Sequence, residues 1–204
     1  PARWLPLIPE QAAFVAFTEE AIHHFTPFLK DVPIQLIGRD TLSPVDSIVL
    51  IDLPQDEEQL KSAIGSSQAN RIYLHLYVHD SMYFEKMPDR QQFGWYYSFL
   101  KKRGSFHLRD QMDMLSKHKG WKKSTIKFMT KVFYELEFVT LENGEITMME
   151  PAEKRDLAEA PSNKKRQQQI KLEELLLYAP YQDLKKVFNS LRKIEAVEEE
   201  KLWI

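Results

Sequence analysis

Lys127, Thr130, Lys131 and Tyr134 stand at offsets of 0, 3, 4 and 7 within KKSTIKFMTKVFYELEFV, so a helix there gathers them on one face. Lysines pair with phosphates, while hydroxyl and phenol groups reach sugars or bases. That is the chemistry of a nucleic-acid-contacting helix. Lys122 and Lys123 lie in the turn before it, and Lys102, Arg103, Lys117 and Lys119 can join the same side. Phe93, Trp95, Tyr96 and Trp121 lie beside these cations. The plain alternative is a solvated helix face.

Charge along the chain sharpens the contrast. Residues 1–87 carry 6 Lys/Arg and 12 Asp/Glu, residues 88–134 carry 11 and 3, and residues 135–204 carry 11 and 15. A block of +8 therefore sits between blocks of −6 and −4, and the overall −2 hides it.

Other chemistry-bearing patterns are weaker. Ile48–Asp52 (IVLID) resembles the apolar strand ending in a Mg²⁺-holding Asp of nucleotide hydrolases, but no GxxxxGK[ST] accompanies it. The expectation is a buried strand whose Asp52 caps the next helix. His75 and His79 are about 13 Å apart in a strand, and adjacent His23 and His24 diverge on a helix, so neither pair reads as a metal site. Lys164, Lys165 and Arg166 open a helix against its dipole and read as an exposed cluster. No nucleophile elbow and no paired catalytic carboxylates are visible, so no self-contained active site is expected.

The elements that must position these residues follow in order. Pro9–Leu29 reads as a helix with a stripe of Ala13, Phe14, Phe17, Ala21, Phe25 and Phe28. Ile34–Ile37, Ser47–Ile51 and Arg71–Tyr77 read as strands, with a short helix ended by Gly65 between the last two. The architecture expected is α/β: a small, Rossmann-like, partly parallel layer over 1–87 and a winged-helix domain over 88–151. Linker and closing helices follow over 152–204. In the winged helix, Phe93, Tyr96, Tyr97 and Leu100 stripe the first helix, and Leu108, Met112 and Leu115 the second. Ser124 is the expected N-cap of the third, with Ile126, Met129, Phe133 and Leu136 inward. Glu142-Asn143-Gly144-Glu145 reads as a type I′ hairpin turn flanked by Leu141 and Ile146. Its two glutamates would repel phosphates at the wing tip. Asn163–Tyr178 and Tyr181–Ile194 read as closing helices, the second with Leu184, Val187, Phe188, Leu191 and Ile194 on one face.

Cys is absent, which excludes disulfides and thiolate chemistry, and no apolar run approaches the roughly 18 residues of a membrane span. With no secretory signal pattern, a cytoplasmic protein is expected. The chain begins at Pro1, so a piece of a longer polypeptide is expected.

MPDRQQFGWYYSFLKKRGSF, LSKHKGWKKSTIKFMTKVFYELEFV and PAEKRDLAEA, with the upstream strands IVLIDLP and RIYLHLY, resemble the C-terminal accessory domain of the RecJ single-stranded-DNA-specific exonucleases of Firmicutes. The resemblance implies a parent that degrades single-stranded DNA from 5′ to 3′ in recombination and repair. Its DHH-type core would use Mn²⁺ or Mg²⁺. The Asp-His-His signature of that core is absent here, so no catalytic residue and no metal carries over. The implied role is a non-catalytic appendage of the core that handles single-stranded DNA or docks the acidic, apolar tail of the single-strand-binding protein. Two other readings stand beside it. One is a winged-helix transcription regulator with an α/β sensor half. The other is a structural or protein-interaction module whose lysine face is buried against acidic groups.

Overall fold

AFVAF at 13–17 is apolar at every position, the pattern of a strand covered on both faces. The computed structural model describes residues 7–29, 32–149 and 155–201, with side chains as far as Arg192. In it these residues form β1 (Ala13–Ala16), and α1 (Glu19–Leu29) begins only afterwards. The single helix expected from Pro9 is therefore two elements in series. Phe14 and Ala16 pack with Ala21, Phe25 and Leu29 of α1, whereas Val15 and Phe17 point to the opposite core. That alternation has the period of a strand, and it mimicked a helical stripe only when read on into α1. Phe28, placed on the stripe, is exposed.

β1 pairs in parallel with β2 (Ile34–Leu36) and β3 (Ser47–Asp52), and β3 pairs in parallel with β4 (Arg71–Tyr77). The sheet order is β2-β1-β3-β4, so the strand hidden in the expected helix is central and the layer is wholly parallel. Every residue of β3 is buried. α2 (Glu57–Ser67) is N-capped by Asp56, which accepts from Gln59 N at 3.0 Å. Gly65 lies inside α2, and Gln68, with φ of 49°, closes it. Leu60 and Ile64 of α2 share a core with Leu176 of α7 (Pro161–Tyr178) and with Phe188 and Leu191 of α8 (Tyr181–Lys201). The Ile194 side chain lies outside the described residues.

Asp52 is buried but does not cap α2. Its carboxylate accepts from Phe17 N and Thr18 Oγ1, both at 2.7 Å, and so ties the end of β3 to the turn between β1 and α1. Burial raises its pKa above the ordinary carboxylate value, against the lowering effect of those hydrogen bonds. Glu173 of α7 is also buried. It accepts from Ser81 Oγ at 2.6 Å, Tyr83 N at 2.9 Å and Gln169 Nε2 at 2.9 Å.

Downstream come α3 (Met82–Glu85), α4 (Arg90–Arg103), β5 (Ser105–His107), α5 (Leu108–Lys119), α6 (Lys123–Glu135), β6 (Val139–Glu142) and β7 (Glu145–Met148). The three helices and the hairpin expected from the sequence are present. Asp89 and Gln92 form a reciprocal capping box that starts α4, and Gly104 closes it. Ser124 is not the cap of α6. The cap lies two residues earlier, at Lys122, without a side-chain cap bond, and the helix begins at Lys123. Asn143 (φ 50°) and Gly144 (φ 84°) make the tight turn, and Leu141 faces Ile146 across it. β5 has no counterpart in the sequence reading. It pairs antiparallel with β7 in a sheet ordered β5-β7-β6. A Cβ at Gly144 would stand 2.7 Å from Cε1 of the exposed His107 ring, a contact the ring can relieve by turning, so the preference for glycine rests on φ.

Residues 151–154 of the expected linker lie outside the described residues; a 3₁₀ turn at Leu157–Glu159 follows, and α7 begins at Pro161. The chain packs as two compact units, Pro1–Phe84 with Gln169–Ile204, and Glu85–Gln168. The division thus falls near Phe84 and again inside α7, where the sequence reading drew it at 87 and 151. Among the described residues no helix is long and apolar enough to cross a membrane.

Candidate nucleic-acid interface

At about 100° per residue, Ile126, Met129, Thr130, Val132, Phe133 and Leu136 of α6 and its cap span one buried arc of about 160°. Thr130 falls inside that arc, only about 40° from Ile126. It is 2% exposed, its Oγ1 is 2.7 Å from the Tyr96 hydroxyl, and it donates to Ile126 O at 2.9 Å. Thr130 is therefore a core residue and cannot reach a ligand. Lys127, Lys131 and Tyr134 lie on the exposed remainder of the helix, with Tyr134 52% exposed. Lys127 and Lys131 form no ion pair with the described residues.

The aromatic residues sort in the same way. Phe93 and Tyr96 are in the core, where they stack on Phe133 or meet it edge-on. Burial pushes the Tyr96 phenol up to about 12, with the Thr130 hydrogen bond opposing. Trp95 is partly exposed, and so is Phe99 one turn later, which the sequence reading passed over. Their rings stack at 5.5 Å and 15°. Trp121, in the turn between α5 and α6, meets Trp95 edge-on at 5.4 Å. Lys119, the last residue of α5, holds its Nζ 3.8 Å above the Trp95 ring, and the Arg103 guanidinium is 5.8 Å from the Phe99 ring. Trp95, Ser98, Phe99, Lys102 and Arg103 line a cavity of about 370 Å³. The spacing of Trp95 and Phe99, four residues apart on a helix whose core stripe is Phe93, Tyr96 and Leu100, is the signal that could have found this pair.

Lys102, Arg103, Lys119 and Trp121 are thus brought to one aromatic corner. Lys122 and Lys123 are engaged elsewhere: Lys122 Nζ is 2.9 Å from Glu85 Oε1, and Lys123 pairs with Asp113. The Lys123 hydrogen bond holds the Asp113 carboxyl below its ordinary value. Lys117 is exposed on α5. No hydrogen bond, ion pair or ring contact among the described residues links Lys127, Lys131 or Tyr134 to the corner. Arg166, read as exposed, is instead buried: it donates to Lys86 O at 2.9 Å and its Cζ lies 4.6 Å over Phe128. Lys164 and Lys165 remain at the surface. The wing-tip residues Glu142 and Glu145 are exposed as expected, and Glu145 accepts from Ser105 Oγ at 2.6 Å.

A parallel α/β layer joined to a three-helix-and-hairpin unit with a cationic aromatic corner is the class of structure in hand. The family model described as "Single-strand DNA-specific exonuclease, C terminal domain" matches residues 3–188, and the chain belongs to that family. It is 39% identical over 146 residues to the single-stranded-DNA-specific exonuclease RecJ of Bacillus subtilis (strain 168). That match takes in 72% of this chain and 19% of the relative, so the chain corresponds to about a fifth of the relative's length. No solved structure matches the chain.

Proposed function

We propose that this chain is a non-catalytic accessory region of a RecJ-like 5′→3′ exonuclease of the cytoplasm, acting in repair and recombination, and that its role is to hold single-stranded DNA. Residues 85–149 serve as a winged-helix module, with α4-β5-α5-α6-β6-β7 in that order. The observation that carries the reading is the aromatic corner: Trp95 and Phe99 offer ring faces on the same surface as Lys102, Arg103 and Lys119. Single strands are held in this way, by stacking of splayed bases beside cations that follow the phosphates. Lys127 and Lys131 supply a further run of positive charge on α6. Two glutamates at the hairpin tip disfavour wing insertion into a duplex.

Hydrolysis and its Mn²⁺ or Mg²⁺ belong, in this reading, to a DHH-type core elsewhere in the polypeptide. The residues here do not fit that metal centre, because the adjacent pair His23-His24 follows Ile22 and not an aspartate. The test is binding of the chain to labelled single-stranded and duplex DNA over a range of salt. Single strands should bind more tightly, with affinity falling steeply as salt rises, and Lys127→Glu with Lys131→Glu should weaken binding further. Equal or tighter duplex binding, or no binding at low salt, overturns it. If only a peptide with the acidic, apolar character of a single-strand-binding protein's tail binds, the corner is a docking site and the DNA-holding role falls.

A further inference from the structure

The carboxyl-terminal edge of the parallel sheet carries a second cluster. Glu20 lies in the first turn of α1, just past β1, and His79 and Asp80 follow the end of β4. One carboxylate oxygen from each acid and an imidazole nitrogen of His79 all lie within 4.8 Å of one another. We propose that Glu20, His79 and Asp80 bind one divalent transition-metal ion.

Position and charge each support it. In parallel α/β sheets, ligands gather beyond the carboxyl ends of the strands where the strand order reverses. The order β2-β1-β3-β4 puts that reversal between β1 and β3. There the buried Asp52 carboxylate grips Phe17 N and Thr18 Oγ1, which fixes the turn that presents Glu20 two residues later. The His79 ring lies nearly parallel to Tyr77 with centroids 6.1 Å apart, and Tyr77 stacks in turn on His24 at 4.0 Å. Among the described residues, Glu20 has His79 as its one ion-pair partner, Nε2 to Oε1 at 3.7 Å, and Asp80 has none. Two carboxylates therefore face a single imidazole, and no described Lys or Arg lies within ion-pairing distance of either acid.

The donor set names the class of ion. One imidazole and two carboxylates, with no thiolate, favour Zn²⁺, Co²⁺, Ni²⁺ or Mn²⁺ over the all-oxygen preference of Ca²⁺ and Mg²⁺. At metal–ligand distances of about 2.0–2.2 Å the donors stand roughly 3–4 Å apart, so these exposed side chains must close by about 1 Å. Three protein ligands leave the remaining positions to water.

Titration of the chain with Co²⁺, followed by visible absorption, and with Zn²⁺, followed by calorimetry, tests the site. One equivalent should bind and raise the melting temperature. His79→Gln and Glu20→Gln should each weaken binding at least tenfold, while His118→Gln on α5 should leave it unchanged. All these side chains are exposed, and circular dichroism checks that each variant is folded. Asp80→Asn replaces any variant that is not. No uptake at millimolar Zn²⁺, or uptake that His79→Gln and Glu20→Gln leave intact, overturns the proposal. DNA binding is read separately, so either conclusion can fail without the other.

Discussion

Replacing Trp95 by alanine removes the ring on which a base would stack, and the structure sets the size of the loss. Lys119 Nζ sits 3.8 Å above that ring, so a base can stack there only by displacing the cation. An exposed cation–π contact is worth about 0.5–1 kcal/mol. Base–aromatic stacking is worth about 1–3 kcal/mol. The mid-range difference is about 1.3 kcal/mol, so Trp95→Ala should weaken single-strand binding roughly eightfold. Lys119→Ala has the opposite balance. It removes the displacement cost but also one phosphate contact, which should lower the magnitude of the log–log salt slope by about 0.7. The Lys119→Ala protein should therefore bind more weakly than native at low salt and no more weakly at high salt. The assay is fluorescence anisotropy of a labelled oligothymidylate across a salt series, with melting curves to show that the variants fold. Native-like affinity of folded Trp95→Ala, or a Lys119→Ala curve parallel to native, refutes stacking at this corner.

Two further outcomes concern buried carboxylates. Glu173→Ala leaves Ser81 Oγ and Tyr83 N without their acceptor, while Gln169 Nε2 keeps its bond to Pro54 O, and should cost about 2 kcal/mol or more in urea unfolding, with Glu173→Gln costing less; a loss below about 1 kcal/mol rejects the anchor. Asp52 has a raised pKa in the folded chain, so the folded state holds its proton more tightly than the unfolded one. Its contribution is most favourable below the ordinary carboxylate value of about 3.9 and declines as pH rises through that value to the folded pKa. The stability difference between Asp52→Asn and native should shift in favour of the variant over that window and then level off; a difference that is flat with pH refutes the burial argument.

The parallel layer was legible where the apolar run exceeded what one face needs, as in Ser47–Asp52, and the hairpin was legible in Asn143-Gly144. β1 was not, because four strand residues followed by an amphipathic helix reproduce a helical stripe when read as one segment. β5 was not legible either. SFH alternates polar, apolar, polar, but three residues are too few to mark a strand, and it becomes one only because β7 offers it a free edge. Pairing with a distant partner leaves no local trace. The lysines were legible as charge, but their engagement was not: Glu85, which holds Lys122, lies 37 residues away.

Thr130 and Phe99 show why the candidate interface moved. A helical wheel ranks residues by angle but does not say how wide an arc is covered. The buried arc of α6 is wide enough to take in Thr130 and bond it to Tyr96. On α4 the core takes Phe93, Tyr96 and Leu100, which leaves Trp95 and Phe99 flanking that stripe with no further element to bury them fully. Adjoining aromatic faces left partly open beside cations mark a candidate contact surface. Lys119 covers Trp95 in the free chain with a contact worth only about 0.5–1 kcal/mol, weak enough for a base to replace. The lysines of α6 need no such partner, since solvent satisfies them. In the proposed reading, then, the corner made by α4 and the end of α5 is where a single strand would gain most. The α6 face would add affinity by charge, and salt should suppress that share long before it suppresses stacking.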